Sequence, residues 1–114
     1  MGDCLFCDII SGDIKGDIVY QDSSVVAFKD INPKAPVHLL IVPRKHLPTL
    51  LDVGQEDKGL IGDMMTVSTK LAKDQGISKD GFRVVVNCGA GAGQSVFHIH
   101  FHLLGGRPLT WPPG

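Results

Sequence analysis

Only one stretch of this 114-residue chain, Asp57 to Asp74, repeats apolar residues at helical spacing for long enough to make a full-length helix. Leu60, Ile61, Met64, Met65, Val67, Leu71 and Ala72 recur mostly three and four residues apart, and Gly76 stands just past the end as a stop. The other apolar residues come in short runs. Ile18 to Gln21 and Val25 to Phe28 are rich in β-branched and aromatic residues and flank Asp22-Ser23-Ser24, which predicts a hairpin. His38 to Val42 lies between Pro36 and Pro43, which keep either end from extending as helix, and predicts a third strand. Phe82 to Val86 and Phe97 to Leu104 predict two more strands, and Leu5 to Ser11 predicts a short opening helix broken at Ser11-Gly12-Asp13. One long helix between hairpins lacks the strand-helix alternation of a parallel doubly wound sheet. The expected class is therefore α+β: a five-stranded antiparallel sheet with one long helix and a short N-terminal helix. A hydrophobic content of 43% in a chain this size supports one core over residues 1–114 and leaves too little length for two ordinary domains.

Charge and composition narrow the function. The net charge is -1 and no basic cluster is longer than Arg44-Lys45, so the footprint of a protein that grips a nucleic-acid backbone is missing. No stretch reaches the roughly 20 apolar residues of a membrane span, and Met1-Gly2-Asp3-Cys4 lacks the basic and apolar regions of a signal peptide. Phe6 stands where an N-myristoylation motif wants Ser or Thr. A cytoplasmic protein, or one that is also nuclear, is expected. Three cysteines, Cys4, Cys7 and Cys88, are an odd number, and a reducing compartment argues against a disulfide framework.

The chemistry gathers near the end. On a strand, alternate side chains share a face, so His98, His100 and His102 are expected on one side and Ile99, Phe101 and Leu103 on the other. Residues two apart on a strand sit roughly 6.5–7 Å apart, so the three cannot all attack one atom, and the middle one, His100, is the natural nucleophile. A solvent-facing polar edge and a histidine metal centre are the competing explanations. Just upstream, Gly89-Ala90-Gly91-Ala92-Gly93-Gln94-Ser95 is open enough for backbone amides to approach a phosphate. It matches neither the dinucleotide fingerprint nor the Gly-Lys-Ser/Thr phosphate loop, and a flexible hairpin loop is the plain alternative. Its position beside the histidines is what makes it informative. Separately, Cys4-Leu5-Phe6-Cys7 has the spacing of a zinc half-site, with His46 and His98 as candidate partners. An unoccupied thiol pair and a redox motif are the alternatives, although a redox pair usually follows a strand of a βαβ unit.

Gln94-Ser95-Val96-Phe97-His98-Ile99-His100-Phe101-His102-Leu103-Leu104 resembles the His-φ-His-φ-His-φ-φ signature of the histidine triad superfamily. The likeness continues through Asp30-Ile31-Asn32-Pro33, Pro36-Val37-His38, Val42-Pro43-Arg44-Lys45-His46, Val86-Asn87 and the closing Trp111-Pro112-Pro113-Gly114, which resemble the Hint branch. That resemblance implies a homodimer with the sheets continuous across it. The long helix and the Phe82 to Val86 strand would lie at the interface, and the Trp111 tail would reach toward the partner's site. It implies hydrolysis of purine nucleoside phosphoramidates, of the adenosine monophosphoramidate or lysine-linked adenylate kind, through a nucleotidyl-histidine on His100 and without a catalytic metal. Neutral imidazole attacks through one nitrogen, so the other must hold the proton, and His38 or a backbone carbonyl could fix that tautomer.

The same resemblance implies Ser95 as proton donor to the leaving amine, and His98, His102, Asn87 and the amides of Gly93, Gln94, Ser95 and Val96 as stabilisers of phosphate charge. It implies Asp30 as acceptor of the ribose hydroxyls, with Phe6, Ile9, Phe28 and Ile31 as walls of a pocket for a purine nucleotide of AMP or GMP type. Those four are equally explained as core. Some superfamily members hold structural zinc with the equivalents of Cys4, Cys7, His46 and His98. A nucleotide sensor or scaffold with incidental hydrolysis is the alternative from another class. A dinucleoside polyphosphate hydrolase typically has Gln where His102 stands, and a nucleotidyl-sugar transferase has Pro where Ile99 stands.

Overall fold

The computed structural model describes residues 4–114; Met1-Gly2-Asp3, read above for leader and anchor, lie outside them. Helix α1 covers Leu5–Ser11 and helix α2 covers Lys58–Asp74. The strands are β1 (Ile18–Gln21), β2 (Val25–Lys29), β3 (Val37–Pro43), β4 (Phe82–Val86) and β5 (Phe101–Gly105). They form one five-stranded sheet in the order β1-β2-β3-β5-β4, every neighbouring pair antiparallel. Short 3-10 turns at Leu50–Asp52, Gln55–Asp57 and Ala90–Ala92 were not anticipated. No described helix is long and apolar enough to cross a membrane.

Local chemistry sets the element ends. The Cys4 sulfur accepts the Cys7 amide at 3.3 Å and caps α1, and Gly12, at φ 87°, closes it in the left-handed region where a side chain would be strained. At the end of α2 the Ile77 amide returns to the Ala72 carbonyl and that of Gly76 to Lys73, a Schellman closure that leaves Ile77 buried.

The sheet is covered on both faces, so β2 and β3 are buried along nearly their whole length rather than in alternation. Val25, Ala27, Leu39, Ile41, Phe101 and Leu103 face α2, meeting Met64, Val67, Leu71 and Ala72. Val26, Phe28, Leu40 and Val42 face α1, meeting Phe6 and Ile9. Leu103→Ala removes a fully buried side chain from the first cluster and is expected to cost about 2–5 kcal/mol. Urea unfolding would read this as a lower midpoint at unchanged slope.

One strand is shorter than its pattern predicts. Phe97 to His100 is not strand; β5 starts at Phe101. The main-chain groups there find partners outside a ladder: the Ile99 amide donates to the Leu47 carbonyl at 2.7 Å, and the His98 carbonyl accepts from the ring of His100. Strict alternation therefore does not govern the three histidines.

Candidate active site

His102 lies on β5 opposite Leu40 of β3 and Val85 of β4, on the sheet face that α1 covers. His38 joins it from β3, and its Nε2 lies 2.9 Å from His102 Nδ1. The rings of His100 and His102 are 5.0 Å apart between centroids. His98 goes elsewhere. It is fully buried, and its ring points into a cluster with Cys4, Cys7 and His46 instead of lining a cleft. This corrects the expectation of three imidazoles on one face: the turn at 97–100 separates the first from the other two.

The hydrogen bonds decide the tautomers. His100 Nδ1 lies 2.8 Å from the His98 carbonyl, which can only accept, so Nδ1 carries the proton and Nε2 keeps its lone pair. The Lys34 amide donates to His38 Nδ1 at 3.0 Å, which places the His38 proton on Nε2. That proton has two acceptors, His102 Nδ1 at 2.9 Å and Asp30 Oδ2 at 3.4 Å, and the shorter contact is the stronger bond. His102 therefore holds its proton on Nε2. Of the two ways left open above for orienting His100, the backbone carbonyl is the one found, and His38 acts on His102. His98 Nε2 donates to the Pro43 carbonyl at 2.7 Å, leaving Nδ1 unprotonated with its lone pair toward Cys4, Cys7 and His46.

Burial lowers the pKa of His38, His98, His100 and His102 below the usual histidine range. For His102, burial acts with the nearby His100 and His38, and its pKa falls to about 4. All four are neutral at pH 7. His102 thus faces the cleft as a neutral N–H donor rather than a cation. In the unfolded chain His38 and His102 protonate near 6.5, whereas in the fold they do so only at lower pH, so acid favours unfolding. Their contribution is intact above about pH 6.5 and is lost as pH falls toward 4. Melting followed by circular dichroism, with chelator present throughout, should show a temperature about 10 °C lower at pH 4.5 than at pH 7.5. Equal values would refute this.

A cleft of about 870 Å³ opens beside His100 and His102. Of the residues expected there, Phe6, Ile9, Phe28, Asp30, Ile31, Ser95, Val96, His100 and His102 line it. Ile31, 91% exposed, stands at its mouth. Leu5, Ile14, Lys15, Gly16, Asp17, Lys29, Asn32 and Leu40 also line it and were not anticipated. His38, Asn87, Gly93 and Gln94 do not. The Asn87 amide donates to the Ala92 carbonyl at 2.8 Å across the glycine loop, whose last turn ends at Gly93 with φ 90°. The Gln94 side chain is buried: Oε1 accepts the Gly89 amide, and Nε2 donates to the carbonyls of Pro48 and Val96. Asn87 and Gln94 thus hold the loop in shape. Partners as distant in sequence as Pro48 gave no local signal of this.

Among the described residues, two groups of side chains have the composition of a metal site. In the first, Cys4 Sγ and Cys7 Sγ lie 3.4 and 3.5 Å from His98 Nδ1, Cys7 Sγ lies 3.4 Å from His46 Nδ1, and the two Nδ1 atoms are 3.1 Å apart. A tetrahedral ion bound by nitrogen and sulfur spaces such donors by about 3.3–3.6 Å. Burial and the neighbouring Cys4 push the Cys7 thiol up to about 11. The four donors fit a metal ion. The second group, Asp30, His38 and His102, does not, because the Lys34 amide keeps a proton on the His38 nitrogen that would have to bind.

Residues 11–109 match the HIT domain family. The chain belongs to the HIT family. It is 50% identical over 105 residues to the purine nucleoside phosphoramidase of Escherichia coli K12, covering 92% of this chain and 88% of that one. It is also 50% identical, over 112 residues, to an uncharacterized HIT-like protein of Synechocystis, covering 98% of this chain and 97% of that one. The crystal structure of a HIT family hydrolase from Legionella pneumophila superposes with a TM-score of 0.97 at 49% identity, covering 98% of this chain and 100% of that one. The fold is that of HIT hydrolases.

Proposed function

We propose that this chain hydrolyses purine nucleoside 5′-phosphoramidates through a covalent intermediate on His100. The carrying observation is the 2.8 Å bond from His100 Nδ1–H to the His98 carbonyl, which leaves a neutral Nε2 lone pair beside the cleft. In the first half-reaction Nε2 bonds to the α-phosphorus and the P–N bond breaks. The departing nitrogen takes a proton relayed through the exposed hydroxyl of Ser95. In the second half-reaction water attacks the phosphorus, nucleoside monophosphate leaves, and the imidazole is restored. His102, its proton held on Nε2 by the bond from His38, donates to a non-bridging oxygen as charge develops. Asp30 receives the ribose hydroxyls, and Phe6, Ile9, Phe28 and Ile31 wall the base. The phosphoramidase name of the Escherichia coli relative supports the choice of substrate.

The same reading makes zinc the ion held by Cys4, Cys7, His46 and His98. It would supply a cross-link between α1, the chain after β3 and the turn at His98, and no chemical step passes through it. The reading also includes a homodimer, supported by β4 at the free edge of the sheet and by half-exposed Met65 on α2. The test is capture of the intermediate. Brief mixing with adenosine 5′-phosphoramidate, acid quench and mass spectrometry should find an adenylyl adduct on the peptide containing His100. An adduct on a different residue, or none during active turnover, would refute it.

A further inference from the structure

A groove of about 560 Å³ next to the catalytic cleft is lined by Cys4, Cys7 and His46, so the metal-ligand cluster is open along that side. We propose that Cys4 and Cys7 form a reversible modification site, closing to a disulfide by exchange with a small disulfide, and that closure slows hydrolysis through His98. The effect on hydrolysis rests on the reading of His100 as nucleophile.

The two cysteines are three residues apart at the start of α1, where side chains are neighbours, and their sulfurs lie within 4.8 Å of each other. A reagent reaches both along the groove. In the exchange, one sulfur attacks as thiolate, bonds to a sulfur of the reagent and expels the other half as a thiolate. The second cysteine sulfur then bonds to the first and expels the remaining half. The protein loses two electrons, and the reagent leaves as two thiols carrying the two protons that Cys4 and Cys7 gave up. The joined sulfurs have neither a negative charge to hold a cation nor a proton to donate to nitrogen.

His98 carries this change to the active site because it belongs to both clusters. Its Nδ1 lies 3.4 and 3.5 Å from the sulfurs of Cys4 and Cys7, and its carbonyl accepts the Nδ1 proton of His100 at 2.8 Å. The ring is fully buried, so a nitrogen that loses both sulfurs as partners cannot turn to water where it stands. Relief comes from movement of the turn at 97–100, and the carbonyl that orients the nucleophile moves with it. A displacement of about 1 Å at a reacting group can cost 10²-fold in rate.

The test uses the full zinc-loaded chain carrying Cys88→Ser, which leaves Cys4 and Cys7 as its thiols. Because the Cys7 thiol is pushed up to about 11, exchange with excess oxidised glutathione is run overnight at about pH 8.5. Peptide mapping without reductant should find Cys4 joined to Cys7, with about one zinc released per chain. On adenosine 5′-phosphoramidate, kcat should fall at least about tenfold with KM within about threefold, and dithiothreitol with zinc should restore it. Reduced protein stripped by chelator should keep kcat within about threefold, since its S–H groups still face His98 Nδ1. Glutathione left as mixed disulfides, a disulfide that leaves kcat unchanged, or an equal loss on chelation alone would each overturn the proposal. If the reduced chain cleaves no phosphoramidate, the hydrolase reading fails by itself, and mapping with zinc release still decides whether the disulfide site exists.

Discussion

His100→Ala is expected to lower kcat on adenosine 5′-phosphoramidate by at least about 10⁴-fold, while the melting temperature changes by no more than about 5 °C. The size follows from the division of labour in the cleft. In the proposed mechanism the other groups there act on a displacement that His100 begins: His102 would meet charge at phosphorus, and Ser95 would meet the departing nitrogen. Without Nε2 there is no bond for them to stabilise, and water must attack the substrate unaided. The small thermal change follows from position. His100 lies at the cleft edge against Phe6, outside the cluster that joins the sheet to α2. Steady-state assays with circular dichroism on the same samples check both halves, and activity above about 1% of wild type would overturn the assignment.

Cys7→Ser is expected to reduce bound zinc from about one per chain to near none and to lower the melting temperature by about 10 °C. Cys7 is the better choice of the two thiols because Cys4 also caps α1, so its loss would mix two effects. The four donors come from the start of α1, the chain after β3 and the turn before β5, so an ion among them ties together segments distant in sequence. Chelator should bring wild type down to the variant's melting temperature and leave the variant unmoved. Elemental analysis finding no metal in wild type grown with zinc, or a melting temperature indifferent to chelator, would rule the site out.

Local pattern carried far in this chain. The ends of α1 and α2 were legible because a glycine stop follows each apolar stripe, and β3 was legible because of the prolines at its two ends. Phe6, Ile9 and Phe28, equally explained by the sequence as pocket walls or as core, are buried and also line the cleft. What stayed hidden depends on partners far along the chain. Alternation over Phe97 to Leu104 looks like one strand, and nothing local reveals that the Ile99 amide is taken by Leu47 or that the His98 ring turns toward Cys4 and Cys7. Gln94 reads as one more loop residue until Pro48 arrives beside it. The tautomer of His38 is set by the Lys34 amide, which no side-chain pattern records.

The hydrogen bonds that set these tautomers also leave a signature in solution. The ring protons on His38 Nε2, His98 Nε2 and His100 Nδ1 each belong to a buried side chain and point at an acceptor within 2.9 Å. Protons so placed trade slowly with water, so three imidazole N–H resonances should persist far downfield in a proton spectrum, separate from the amides. Their disappearance, one by one, would mark which part of the site opens first.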